Sequence, residues 1–401
     1  MNPWPVASDA LRRGWRAALA MALLVALATS LGTGVGALDR SMRRAAAQAS
    51  DAFDLVVGAP GSATQLVLTS VYLQPDTVPL LDGAILARVA AEPEAAWTSP
   101  IAFGDAWHGR PIVGVAPAFV IFGGRRAPAE GRAFATEDEA VAGADVPLAL
   151  GATLQPQHGR VEAPEGGHVH AESTYTIVGR LPRTGTPWDA AILVPVESVW
   201  EIHGLGNGHP AGVERIGPPW EAGPPPVPAV VVKPRSFAGA YQLRARYRTA
   251  ASTAVFPGEV LSSLFRTLGD VRSVLSWMAA ACAVLVVAAV ILAFGAIVAG
   301  RARDHAVLRA IGAPPGFLLL ALWMELGIVL AAGVIAGIGL GWATAAGAGA
   351  ALGGAAGLHI SVTLSWADAA LAAAVLGGGL VAAAVPALSG SRVPPGAGLK
   401  G

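Results

Sequence analysis

Charge is missing from this chain in long blocks, and that gap constrains it more than any motif does. Residues 17–38 are uncharged over 22 positions, residues 273–300 over 28 and residues 369–391 over 23. Between residues 310 and 367 the only charge is Glu325. A bilayer core about 30 Å thick takes roughly 20 apolar residues at about 1.5 Å rise each. The spacing predicts four membrane-spanning helices, at 17–38, 273–300, 317–343 and 367–388. Composition agrees: 54% of the 401 residues are apolar and 13% charged, where a soluble domain carries about 25% charge. Lys+Arg and Asp+Glu are equal at 27 each, which speaks against a nucleic-acid binder resting on a basic surface. The single cysteine, Cys282, sits in an apolar run and permits no internal disulfide.

The first block has the basic start (Arg12, Arg13, Arg16) and the small-residue ending (Val35, Gly36, Ala37) of a secretory leader. Its length exceeds the usual leader core of about 7–15 residues, so it reads as an uncleaved helix. Orientation follows the Lys/Arg bias of the flanks. Arg12, Arg13 and Arg16 precede the first span, Arg301, Arg303 and Arg309 follow the second, Arg392 and Lys400 follow the fourth, and 344–366 carries none. Both termini are then cytoplasmic. Residues 1–16 form a cytoplasmic segment, 301–316 a cytoplasmic helix and loop, 344–366 a short outer loop and 389–401 a cytoplasmic tail. Arg40, Arg43 and Arg44 break the bias unless the first helix continues outward as a stalk.

Residues 39–272 are left as one large extracytoplasmic domain. Runs rich in Val, Ile, Thr and Phe, bounded by Gly, Pro and Asp, predict strands at 53–57, 112–122, 174–178, 190–196 and 227–232. Helical patterns cover 79–91, 196–203, 236–248 and 258–277. The mixture predicts an α+β domain. Pro218, Pro219 and Pro224 to Pro226 predict a stiff surface segment. His158, His168 and His170 lie close together among Glu162, Glu165 and Glu172, with His203 and His209 on another segment. His168 and His170 in a strand share one face, a spacing that suits zinc; a solvated polar loop has the same composition. No Ser-His-Asp set, P-loop or nucleotide fingerprint stands at workable spacing, so ATP would have to bind another chain.

Residues 301–313 combine Arg301, Arg303 and Arg309 with a Val307, Leu308 and Ile311 stripe, ending at Gly312, a natural helix stop. Pro314 and Pro315 prevent simple continuation and let a new helix begin. Such a helix could lie along the membrane and face a soluble partner, or simply anchor a basic loop at the headgroups. Glu325, inside the third span, is costly there, and reads either as a gating or dimer contact or as a buried hydrogen bond to a neighbouring helix. Gly333, Gly337 and Gly341 share one face of that span and permit close helix approach, within the chain or across a dimer.

The run RDHAVLRAIGAPPGFLLLALWMELGIVL, then a Gly-rich span, then VPALSGSRVPPGAGL, resembles the permease domain of the MacB/FtsX/LolC family of ABC transporters. The matching positions are Leu308, Arg309, Ala310, Ile311, Gly312 and Ala313, then Glu325, then Pro386 and Ala387. The outer domain resembles the family's periplasmic core domain, through 150–154, 175–180 and 191–195. Pro314, Pro315 and Gly316 replace the family's basic pair after the helix. The resemblance implies a permease, not itself an enzyme, in the bacterial inner membrane. It implies a second permease copy, a homodimer or a related heterodimer, with two separate ATPase subunits that bind ATP and Mg²⁺ and push on 301–313. Arg301, Arg303, Val307, Leu308, Arg309, Ala310, Ile311 and Gly312 would make that contact. A periplasmic or outer-membrane partner would receive the work, which is export or extraction of a lipoprotein, peptide or other cargo. The reading from another class is a membrane-anchored extracytoplasmic binding or sensor protein, zinc-responsive through its histidine loop.

Overall fold

The computed structural model describes residues 2–158, 168–169, 173–267, 269–384 and 388. In chain order its elements begin with α1 (Trp4–Arg13), α2 (Trp15–Ser50), β1 (Leu55–Gly58), α3 (Ala63–Ser70), α4 (Gly83–Ala90), β2 (Ala95–Trp107), β3 (Arg110–Val115) and α5 (Pro117–Val120). Then come β4 (Glu130–Gly131), β5 (Glu139–Ala142), β6 (Thr153–Leu154), β7 (Gln157–His158), β8 (His168–Val169), β9 (Tyr175–Arg180), β10 (Ile192–Pro195) and α6 (Val196–Ile202). The chain continues with β11 (Ala229–Pro234), α7 (Phe237–Arg246), β12 (Thr253–Val255), α8 (Pro257–Thr267), α9 (Gly269–Gly300), α10 (Ala302–Ala310), α11 (Pro315–Ala356) and α12 (Trp366–Ala382). It divides into a helical unit, residues 1–42, 268–351 and 361–401, and a sheet unit, residues 43–267 with 352–360.

In the sheet unit the strands run in the order β12-β1-β11-β2-β3-β10-β5-β9-β4. The sheet is mixed: β10 lies parallel to β3 and β5 parallel to β9, while β1, β11, β2 and β3 pair antiparallel. Central strands bury both faces, which is why they read as unbroken apolar runs. Leu55, Val57, Ile112, Ile192, Val194, Val230 and Val232 point to one side, against Ile85, Leu86 and Val89 of α4, Val199 and Trp200 of α6 and Leu243 of α7. Val56, Val113, Val115, Val141, Leu193 and Val231 point to the other, against Leu66 and Val67 of α3, Phe119 of α5 and Ala46 and Ala49 of α2. The result is a helix–sheet–helix sandwich.

The strands expected at 53–57, 174–178, 190–196 and 227–232 are present within a few residues. The one expected at 112–122 stops at Val115, because Pro117 opens a helical turn. The longest strand, β2, has no counterpart among the expectations. Pro100, Gly104 and Asp105 interrupt its pattern, and its register with β3 shifts between Phe103 and Ala106. The segment expected to be stiff surface is only partly so. Pro218 and Pro219 are exposed, but Trp220 is 5% exposed and joins the core, and Pro224 and Pro225 are buried. Residues 352–360, read from the sequence as part of a bare outer loop, belong to this unit: His359 N–H donates to the Gly185 carbonyl at 3.0 Å, and Leu358 packs on the core.

Among the described residues three helices are long and apolar enough to cross a membrane: Trp15–Ser50, Trp277–Gly300 and Pro315–Gly354. The first runs unbroken to Ser50, so the basic trio Arg40, Arg43 and Arg44 is helical. The third runs to Ala356, beyond the 343 expected, because no breaker precedes Gly357 (φ +65°). The fourth expected span appears as α12, with 17 residues, shorter than a full crossing. Met21 and Val25 of α2, Phe294 and Val298 of α9, Leu326 and Leu330 of α11 and Val375 of α12 share one apolar core.

Candidate coupling site

The short helix α10 sits between two long ones, and its ends are chemically fixed. At its C-terminus Ala313 N–H donates to the Leu308 carbonyl at 3.0 Å and Gly312 N–H to that of Arg309 at 3.1 Å. Gly312 has φ +102°. This crossed pair is a Schellman stop, and a side chain at Gly312 would be strained in that conformation.

At its N-terminus Arg301 faces inward. Its Nη1 donates to Glu325 Oε1 at 2.9 Å and Oε2 at 3.2 Å, and its Nη2 to the Ala10 carbonyl at 3.2 Å. Arg301 Nη2 lies 2.7 Å from where a Cβ on Gly14 would stand, so the guanidinium fills the notch between α1 and α2. One side chain thus joins α1, α10 and α11. Glu325, 8% exposed, is a paired group within the helical unit. Glu325 alone is visible in the sequence, and its partner 24 residues earlier is not.

The two faces of α10 differ. His305 and Ala306 are buried, and Leu308 packs with Val6, Ala313, Phe317 and Leu318. Arg303, Val307, Ala310 and Ile311, which fall on one helical face, are exposed, Ile311 by 77% and Val307 by 46%. Arg309 is half-buried. Below α10 lies a cavity of about 590 Å³ lined by Asp9 and Arg13 of α1, Asp304, His305 and Glu325 among others. His305 Nδ1 is buried without a hydrogen-bond partner. Burial and the nearby Arg301 charge hold the imidazole's pKa below its ordinary value. Neither that histidine nor the α1 wall was marked by the sequence; only the amphipathic run 4–13 could have drawn attention to the wall.

The glycine face of α11 packs on α2. A Cβ on Gly333 would stand 2.7 Å from the Ala22 carbonyl, one on Gly337 2.6 Å from Thr29 Cβ, and one on Gly341 2.7 Å from the Ser30 carbonyl. The close approach is within the chain. A second buried ion pair ties α2 to α12: Arg40 Nη2 donates to both oxygens of Asp368, at 2.6 and 2.8 Å, and Asp368 also caps its own helix through Ser365.

The candidate metal ligands are only partly visible. His158 and His168 are register partners in the short ladder of β7 and β8; their side chains, and His170 entirely, lie outside the described residues, as do Pro386 and Ala387. Among the described residues no group of three His, Cys, Asp or Glu is placed to hold a metal. His203 Nδ1 instead contacts the Val199 carbonyl at 2.7 Å. His209 is buried between Glu197 and Glu221.

A family model described as the MacB-like periplasmic core domain matches residues 17–250, more than half of the chain. One described as the FtsX-like permease C-terminal matches residues 276–395. The chain belongs to the MacB/FtsX/LolC-type family of ABC transporter permeases. No curated protein matches it. The two matched regions flank α8 and the start of α9, so the permease carries a MacB-like core-domain region and then an FtsX-like permease region. As a permease it is a membrane transport component and not itself an enzyme. Its α10 falls within the FtsX-like region, at the position where the sequence resemblance had placed the coupling residues.

Proposed function

We propose that this permease works by mechanotransmission: a separate ABC ATPase pushes on α10, and the work is done by the outer domain. The observation that carries the reading is the division of α10 into an anchored and a free face. Arg301, Leu308 and the Gly312 stop fix it to α1 and α11, while Arg303, Val307, Ala310 and Ile311 present a basic and apolar surface. An exposed Ile and Val on a short, rigidly capped helix is what a soluble partner needs to grip. In this reading α2, α9, α11 and α12 are the four spans, both termini are cytoplasmic, and the domain at 39–272 stands in the periplasm above the inner membrane. Two permease copies and two ATPases form the working unit, and ATP with Mg²⁺ is held by the ATPases. The cargo is a lipoprotein, peptide or comparable molecule handled outside the membrane.

The test is co-purification of the detergent-solubilised chain with ABC ATPases from the same genome, with ATPase activity measured for wild type and Ile311→Glu. A complex that the substitution weakens at least about tenfold, the cost of losing one well-packed anchor, supports the reading. A well-folded permease that captures no ATPase, or one indifferent to Ile311→Glu, sinks it. Zinc at His158, His168 and His170 is a subsidiary proposal, supported by the register pairing of His158 with His168. It is abandoned if calorimetry on the full chain detects no zinc binding that His168→Ala removes.

A further inference from the structure

The sheet unit holds a second cavity, of about 300 Å³, that the coupling reading does not use. Its wall is aromatic. The Phe119 ring lies 4.7 Å from that of Trp188 and 5.9 Å from that of Phe122, and Phe53 lies 5.7 Å from Trp188. Its polar lining is Gln48, Asp51, Arg126, Thr184, Thr186 and Asp189, with Arg126 the one cation among them. Arg126 stacks its guanidinium 4.2 Å over the Phe122 ring, and its Nε is buried with no hydrogen-bond partner. Its Nη2 reaches only the Val120 carbonyl, at 3.3 Å. Asp189, 4% exposed, is occupied by its own loop: it accepts from Thr184 N–H at 2.8 Å, Thr184 Oγ1 at 2.7 Å and Gly185 N–H at 2.7 Å. Burial lowers the Arg126 pKa from its ordinary value, and the Asp189 charge opposes part of that shift.

Phe122 itself is held with φ +49°, followed by Gly123 at +61° and Gly124 at +87°. A bulky aromatic in that region is a backbone outlier, and such outliers persist where the surroundings over-determine them, often at ligand clamps. Here Trp97 closes over the turn, 2.4 Å from where a Cβ on Gly123 would stand. The outlier and the orphaned guanidinium nitrogen belong to the same stacked pair.

From this geometry we infer that the cavity is a binding site for a small aromatic monocarboxylate. The ring system would lie among Phe53, Phe119, Phe122 and Trp188, and the carboxylate would accept from Arg126. The size matches the lower end of small-molecule sites, which pair a mostly apolar lining with a few placed polar groups. Aromatic walls favour an aromatic body through edge and offset contacts. A partly buried guanidinium whose Nε has no acceptor favours an oxyanion. The inference does not depend on ATPase coupling, and its test involves no ATPase.

The probe is naphthalene-2-carboxylate, measured by equilibrium dialysis against full-length permease in nanodiscs, with empty nanodiscs as the partition control. One saturable site is expected. Arg126→Gln should weaken the carboxylate by about tenfold or more, the loss of one charge-assisted hydrogen bond, and leave the weaker binding of naphthalene-2-carboxamide unchanged. Ala52→Phe fills the cavity with Arg126 intact and should abolish binding of both. Uptake no greater than by empty nanodiscs overturns the proposal, as does equal carboxylate affinity in wild type and Arg126→Gln, or undiminished binding by Ala52→Phe.

Discussion

The helical unit and the sheet unit bury charge in opposite ways. In the helical unit buried carboxylates are matched by guanidinium groups: Glu325 by Arg301 and Asp368 by Arg40, each through two contacts. In the sheet unit the buried carboxylates Glu197 and Asp189 are held by neutral donors, while Glu92 nearer the surface pairs with Arg246. Glu197 Oε1 accepts from Gly217 N–H at 2.8 Å and Trp220 Nε1 at 2.6 Å, and Asp189 is capped by its own loop. Inside a helix the backbone N–H groups are already used, so Glu325 needs a charge from a neighbour; Asp368, at a helix start, has Arg40 in addition to the Ser365 N–H. A mixed sheet with long connections has loop N–H groups in supply. The difference predicts where substitution hurts most.

The largest effect is expected at the ion pair. Glu325→Leu leaves the half-buried Arg301 without its carboxylate, which costs up to about 3 kcal/mol and should lower the yield of folded protein or its thermal midpoint. Arg301→Met with Glu325→Leu removes both charges and should recover most of that loss. If the double variant is as damaged as the single, the pair is not the unit of stability and the contrast between the two regions fails. Next comes Glu197→Ala, which orphans two buried donors and costs about 2–3 kcal/mol. No single substitution at His209 or Gly217 should rescue it, because the donors are neutral.

A third effect separates two faces of α11 by packing. Gly337→Ala places a methyl 2.6 Å from Thr29 Cβ and 2.7 Å from the Ala26 carbonyl, where the backbone must shift; overpacking of this kind costs about 1–3 kcal/mol. Gly339→Ala, two residues away on α11 with open space around it, should be neutral or stabilising by up to about 1 kcal/mol. The two alanine variants form a matched pair in one unfolding experiment. Equal thermal midpoints would show that α2 and α11 do not meet through this face.

Much of this architecture was legible because lipid and sheet each impose a period or a run length. The uncharged blocks gave α2, α9 and α11, and the apolar runs gave β1, β9, β10 and β11. Gly312 announced its own helix stop. What stayed hidden is what depends on distant partners. Arg40 finds Asp368 at a sequence separation of 328, and residues 352–360, beyond the expected third span, pack with the sheet unit. β2 hid because a proline, a glycine and an aspartate occupy a strand whose neighbours tolerate a bulge. At the candidate coupling site the helix was legible, while the family resemblance implies that Arg301 contacts the ATPase together with Arg303 and Val307. The structure turns it inward to Glu325, and an inward arginine is recognisable only when its carboxylate is known.

The smallest effect tests the sheet unit's neutral-donor habit at its margin. Glu137 has a carboxylate neighbour where a donor would be expected. Burial, then hydrogen bonding to Glu201 and the charge of that residue, push its pKa from 4.5 up to about 7, against the opposing donation of Asn207. Because folding raises this pKa, the protonated form stabilises the fold fully below about pH 4.5, and the contribution is lost as pH rises toward 7. Glu137→Gln keeps the neutral hydrogen-bonding shape at every pH. The variant should match wild type in thermal midpoint at pH 4.5 and exceed it by a few degrees at pH 8, with the gap opening between those values. A gap that is constant with pH would mean that Glu137 is fully ionised in the folded protein, and that this unit tolerates adjacent carboxylate charges without a proton between them.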